Sequence, residues 1–368
     1  MVESVREVAR EQVAPAAAEV DRARLFPERS IRALAERGAL GLMVPEAYGG
    51  AGGGLAALVD ACEAVGAACG SSGMVFLMHS VAAATVADGG GERAGEYLVE
   101  MSAGRMLGTL AFSERGTGAH FYAPELAAER HNDGVRISGR KSFVTSGGHA
   151  DLYLVLVGAG EGDGLDCYAV TGEDGVEFEG SWDGLGMAGN SSVGAKFDCL
   201  VGDAARIGAA GEGAGLVFGT VAPFFLAGLA AVNVGIASAA RAAAVAHASR
   251  RRYSDGGSLA EIQSIQHALA GIEITIRAAR LVVHDAARLG DGGDEDALVA
   301  LMAAKVAATD AAASVTQSAL EVCGGQGYTP SLPIERHLRD ARAGAVMAPT
   351  NGVLRNWIGK ALAGLPVP

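Results

Sequence analysis

The chain has 368 residues, half of them hydrophobic, and a formal net charge of −13. That length and apolar content suffice for two or three packed layers around a sizeable core, which excludes a disordered chain. The acidic balance leaves no basic surplus to replace the counterions of a phosphate backbone, which excludes a protein that wraps nucleic acid.

The N-terminal stretch "MVESVREVAREQVAPAAAEVDRAR" alternates charges with small residues and lacks the apolar centre of a secretory signal, so a cytoplasmic location is expected. Residues 1 to about 105 show helical spacing, broken at "PEAYGGAGGG" and "CGSSG", where Pro45 and the glycines stop helices. They predict a helical N-terminal domain. From about 106 to 215 the period falls to two, in Val135 and Ile137, then "DLYLVLV", "CYAV" and "VGAKFDCLV", with Gly and Asp at the turns. This is the pattern of a small, mostly antiparallel β domain.

Helical spacing resumes from 216 to the end. The run "GAGLVFGTVAPFFLAGLAAVNVGIASAA" is long and apolar, yet it is rich in Gly and Ala, contains Pro223 and continues into amphipathic helix, so it reads as a buried helix and not a membrane span. One helix is expected from about Pro223 through Arg250 and another from Leu259 to about Leu289. A third, in "DEDALVALMAAKVAATDAAASVTQSALEVCGG", carries Leu298, Leu301, Met302 and Val306 on one face, acids in its first turn and Gly324 and Gly325 at its stop.

Several small motifs carry less than their form suggests. "GLGMAG" (Gly184, Gly186, Gly189) satisfies the dinucleotide pattern GxGxxG, but in a chain with 54 glycines, and with a strand-like stretch instead of a helix after it, the match is expected by chance. "GEGAG" at 211–215 reads as a loop before the helical half. There is no P-loop, GxSxG elbow or HExxH motif. Cys62, Cys69, Cys167, Cys199 and Cys323 form no CxxC pair, and no His stands at metal-ligand spacing, so neither a disulfide framework nor a metal site is indicated. Arg250-Arg251-Arg252 is the one dense basic cluster.

Four segments together resemble the acyl-CoA dehydrogenase family. "LAFSERGTGAH" (110–120) resembles the family's T-E-P-x-x-G-S-D, and "GRKSFVTSGGHADLYLV" (139–155) its partner G-x-K-x-W-I-T-N-G. "RRRYSDGGSLAEIQSIQHALA" resembles R-x-x-F-G followed by Gln, and "EVCGGQGYTPSLPIERHLRDAR" resembles Q-x-x-G-G-x-G-(Y/F) through P-(V/I)-E-(R/K)-x-x-R-D-(A/S). The resemblance covers nearly the whole chain in the right order. It implies an α+β acyl-CoA dehydrogenase fold: a helical N-terminal domain (1–105), a small β-barrel or sandwich middle domain (106–215) and a C-terminal four-helix bundle (216–368).

The resemblance also implies FAD, extended between the β domain, the C-terminal helices and a neighbouring subunit of a homodimer or tetramer. Carried over residue by residue, Phe112 and Ser113 meet the pyrimidine side of the flavin, and Phe143 and Thr145 flank its ring and N5. Arg250, with Tyr253 at the aromatic position of the same motif, matches the arginine that reaches the pyrophosphate of the partner's FAD. Gln263, Gly324 and Gly325 match the adenine-side contacts. The departures are Arg115 for Pro, Ala119-His120 for Ser-Asp, which removes a hydroxyl contact to the pyrophosphate, and Phe143 for Trp, which keeps a ring but loses the indole N–H.

The largest departure is the catalytic base. Counting without gaps from "HLRDARAGAVMAPTN", the family's Glu of E-G-T falls on Ala348, followed by Pro349 and Thr350, the latter keeping the cofactor-side Thr. The alternative family position, near the start of the long helix after the β domain, falls on Phe224 or Phe225. Removing an unactivated α-proton from a thioester leans on a positioned base worth ~10²–10⁴-fold, so ordinary fatty acyl oxidation is disfavoured. Hydride removal from a carbon bearing oxygen is easier, because the proton lost sits on a hydroxyl. The ending "APTNGVLRNWIGKALAG" resembles a family subset that acts on acyl units tethered through phosphopantetheine to an acyl carrier protein, in making hydroxymalonyl and methoxymalonyl extender units of ascomycin-type polyketides. A flavin monooxygenase of the same fold is the rival reading. His79, His120 and His149 are histidines that could serve as acid or base.

Overall fold

The structure, a computed structural model, describes residues 1–131, 134–159 and 164–367. Helix α1 (Val2–Val8) runs through one π-helical turn (Ala9–Val13) into α2 (Ala14–Arg22), followed by α3 (Glu28–Glu36). The glycine-rich "PEAYGGAGGG" is a loop with Gly49 and Gly52 at positive φ, a conformation that costs residues with a Cβ. Then come α4 (Leu55–Ala68), α5 (Gly70–Gly89) and α6 (Ala94–Ser102). The break at "CGSSG" is one extended residue, Cys69, between α4 and α5. Helix α5 is buried from Gly70 to Val86 on every side, so it is a central helix without a polar face.

Among the described residues the middle region holds eight strands: β1 (Gly108–Ala111), β2 (Ala128–His131), β3 (Gly134–Val144), β4 (Leu152–Gly158), β5 (Leu165–Thr171), β6 (Val176–Glu179), β7 (Val193–Val201) and β8 (Arg206–Ile207). They form two four-stranded sheets, ordered β1-β4-β5-β8 and β2-β3-β7-β6. Every ladder between two of these strands is antiparallel except that of β1 with β4. The barrel alternative is therefore corrected: the strands divide between two sheets with no closed barrel. Leu152 through Val157 of β4 are all buried, as for a strand covered on both faces, whereas β7 alternates buried and more open positions.

After a short α7 (Gly213–Leu216) and a π-helical turn (Val217–Val221), the chain returns to helix in α8 (Ala222–Arg250), α9 (Gln263–Asp291), α10 (Ala297–Gly327), α11 (Ile334–Val346) and α12 (Asn351–Leu362). Helix α10 overruns its expected stop, but Gly324, at φ 55° and ψ −144°, breaks its helical geometry there. By length and composition Gly70–Gly89, Gly213–Arg250 and Ala297–Gly327 could each cross a membrane; 94%, 67% and 44% of their most apolar windows are buried within this fold.

Small residues let α4 and α8 touch backbone to backbone. A Cβ on Gly66 would meet the Val232 carbonyl oxygen at 2.7 Å, and one on Gly235 would overlap the Glu63 carbonyl. The same logic explains "GLGMAG". A Cβ on Gly186 would overlap the Arg339 carbonyl on α11, and one on Gly189 would stand 2.6 Å from the Leu25 carbonyl oxygen. The Met187 N–H donates to the buried Asp340 Oδ1 at 2.6 Å. These glycines lock the β domain onto helices of both other regions, and the strand that follows them is β7.

Candidate active site

Two loops from the β domain meet at one point. The Ser142 N–H donates to the Ser113 carbonyl oxygen at 2.8 Å, joining the segment after β1 to the end of β3. Beneath them lies a buried ion pair, Lys141 Nζ to Glu114 Oε1 at 2.6 Å. Lys141 also donates to the carbonyls of Leu156 (2.6 Å) and Phe112 (3.4 Å), and Glu114 accepts the N–H groups of Glu125 (2.9 Å) and Leu126 (3.3 Å). Desolvation holds the Lys141 pKa below its ordinary value, against the pull of Glu114. Phe112 and Ser113 are thus fixed from behind by a charge whose neighbours are all specified.

On this base Phe143 has φ 55°, beside an irregularity in the β3–β7 ladder, and its ring is 70% exposed. Its neighbours Val144, Thr145 and Ser146 are buried; Thr145 shares a hydrogen bond with Ser192 Oγ at 3.1 Å, and its carbonyl accepts from Thr109. The buried Ser142 Oγ has no partner among the described residues. A solvent-facing aromatic ring held in the left-handed region beside an orphan hydroxyl fits a flat, polar-edged ring system.

Sequence models of the acyl-CoA dehydrogenase N-terminal, middle and C-terminal domains match residues 1–105, 109–199 and 227–363. Cyclohex-1-ene-1-carbonyl-CoA dehydrogenase of Geobacter metallireducens is 31% identical over 98% of this chain and 96% of its own. The chain belongs to the acyl-CoA dehydrogenase family. Among solved structures, butyryl-CoA dehydrogenase of Megasphaera elsdenii superposes with a TM-score of 0.92 at 27% identity, covering 98% of this chain and 97% of that one. The FAD complex of PigA (TM-score 0.89, 19% identity, 99% and 96% covered) and the prolyl acyl carrier protein oxidase AnaB (0.89, 21%, 98% and 97%) share the fold. This family member is a flavin oxidoreductase with FAD as its cofactor.

The remaining expected cofactor residues lie elsewhere on this acyl-CoA dehydrogenase chain. Arg250 ends α8, Tyr253 follows with the Arg251 guanidinium 5.9 Å from its ring centre, Gln263 opens α9, and Gly324 and Gly325 lie at the break in α10; all are exposed. Ala119 is half-buried in the loop after β1.

Ala348 is half-buried in the turn between α11 and α12, and Thr350 caps α12 by accepting the Val353 N–H at 3.4 Å. Phe224 and Phe225 are half-buried in the first turn of α8. Pro349 lines a small recess with Phe121, Phe218, Met302 and Trp357, bordered by Tyr122, whose ring lies 5.3 Å from Phe218 and 5.7 Å from Trp357.

The three histidines have structural surroundings. His79 is fully buried; the Gly108 N–H donates to its Nδ1 at 3.0 Å, so its Nε2–H donates to the Leu40 carbonyl at 2.8 Å, and burial lowers its pKa to about 4. His149 stacks on Phe26 at 4.1 Å, and burial lowers its pKa. His120 is exposed, with Nδ1 3.3 Å from the Thr117 carbonyl. Sequence reasoning missed Glu114, Lys141 and Lys305. The signal for Lys305 is a lysine falling in register with Leu301 and Met302 on the apolar face of α10.

Proposed function

We propose that this acyl-CoA dehydrogenase family member oxidises a hydroxyl-bearing acyl group, glyceryl or hydroxy-oxopropionyl, carried as a thioester on an acyl carrier protein in polyketide extender-unit biosynthesis. The observation that carries the reading is the methyl group of Ala348 where the family places a carboxylate, together with the phenyl rings of Phe224 and Phe225 at the alternative position. An enzyme without that base does best where the carbon that gives up a hydride already bears oxygen, since the hydroxyl proton leaves to water without a positioned carboxylate. That the fold serves a carrier-protein substrate in AnaB is compatible with this, a likeness of fold alone.

FAD supplies the two-electron acceptor when bound. Phe143, Thr145, Ser142 and the Phe112–Ser113 segment would hold its flavin ring, Phe143 by its exposed aromatic face and Thr145 and Ser142 by their hydroxyls. Ala119 leaves the pyrophosphate with one hydroxyl contact fewer. Arg250, Tyr253, Gln263, Gly324 and Gly325, all exposed on the single chain, serve the FAD of a second copy in a homo-oligomer.

The test is an anaerobic titration of the FAD-loaded protein with glyceryl- and hydroxy-oxopropionyl-carrier protein, following flavin absorbance. Stoichiometric bleaching by either supports the reading. No bleaching by either, with turnover of an amine or arene when a flavin reductase and oxygen are supplied, transfers the chain to the monooxygenases.

A further inference from the structure

We propose that Lys305 is a positioning residue of this site, its ammonium group fixing the turn from Met347 to Asn351 and so the wall that Ala348 presents to substrate. Lys305 sits in the third turn of α10 with its side chain fully buried. Its three donors have three acceptors, all in that one turn: the Asn351 Oδ1 at 2.9 Å, the Pro349 carbonyl at 3.0 Å and the Met347 carbonyl at 3.4 Å. Among the described residues it forms no ion pair. Asp310, on the same helix, is taken by Arg355 and by the Asn351 Nδ2–H at 3.0 Å. A buried cation that meets only neutral acceptors is costly to keep, and an apolar residue would satisfy this helix face, as Met302 does one turn earlier on the recess wall. What the ammonium adds is a three-point grip on carbonyls. Pro349 has no N–H of its own with which to anchor the turn, so the grip on its carbonyl is the tie left to it.

The experiment is amide hydrogen exchange on the FAD-loaded protein, corrected for intrinsic rates, read on the peptide spanning 346–352 at pH 7 for the native chain, Lys305→Met and Lys305→Gln. Lys305→Met should exchange at least tenfold faster than the native chain with α8 unchanged, and Lys305→Gln, which cannot supply three donors to the turn, should also exchange faster. Native-like exchange of the turn in Lys305→Met overturns the proposal. If Lys305→Met does not fold, native-like exchange in Lys305→Gln overturns it. A kinetic arm, which rests on the proposed oxidation, should show kcat falling at least tenfold in Lys305→Met with KM within about threefold. The exchange arm needs no substrate, so failure of the functional reading leaves it intact.

Discussion

Lys141→Met isolates what the buried pair under the flavin-facing loops contributes. The substitution keeps most of the side-chain volume but removes the partner of Glu114, 2.6 Å away, and leaves the Leu156 and Phe112 carbonyls without their donor. Glu114 is 7% exposed and keeps only the Glu125 and Leu126 N–H groups. Breaking a buried pair on one side costs about 3–5 kcal/mol. With an unfolding entropy of about 2.1 cal/mol/K per residue, 368 residues give ~0.8 kcal/mol/K, so the apparent melting midpoint should fall by ~4–6 °C. Differential scanning calorimetry of the FAD-loaded protein reads this directly, and FAD loss on gel filtration should rise in parallel because Phe112 and Ser113 lose their support. Lys141→Met combined with Glu114→Gln, which removes the stranded charge but keeps an acceptor for the two N–H groups, should recover about 2 kcal/mol. A drop of less than ~1 °C in the single variant, or a double variant as unstable as the sum of its parts, would refute the reasoning.

Two further outcomes follow from the geometry. Burial raises the Asp340 carboxyl pKa to about 6, above its unfolded value, so the native state holds this proton more tightly and the group's contribution to stability diminishes as pH rises from about 4 to 6. Asp340→Asn keeps an acceptor for the Met187 N–H and should remove that slope, about 3 kcal/mol across the window; unfolding midpoints at pH 4.5 and 7.5 check it, and an unchanged slope contradicts it. Phe143→Ala, at a ring 70% exposed, should leave the melting midpoint of the FAD-free protein within ~1 °C while weakening FAD by ~1 kcal/mol or more; equal FAD affinity by fluorescence titration would remove Phe143 from the cofactor site.

The elements legible in the sequence were those long enough to show a period. The alternation of β3 and β7, and the spans of α8, α9 and α10, follow from side-chain period, whereas β4 and β5 are buried on both faces and show as short apolar runs instead of the alternation expected of them. Strands β2 and β6, four residues each, are too short to separate from loop. Ala348 and the Phe112–Ser113 and Phe143–Thr145 segments were reachable through motif resemblance, whereas the ties that hold them were not. Glu114 and Lys141 lie 27 positions apart and Met187 and Asp340 lie 153 apart, and nothing local in either sequence context announces a partner at such range. Lys305 was visible as a break in an apolar face, but its meaning depends on a turn more than forty positions downstream.

The interlocked glycines of α4 and α8 bear on how this chain is made. Their contact joins segments separated by the whole β region, and neither helix can close against the other until the ribosome has delivered both. The first hundred residues must therefore wait, with the apolar flank of α4 uncovered, while the strands emerge, a high-contact-order arrangement that favours slow folding and a need for chaperone shielding during synthesis.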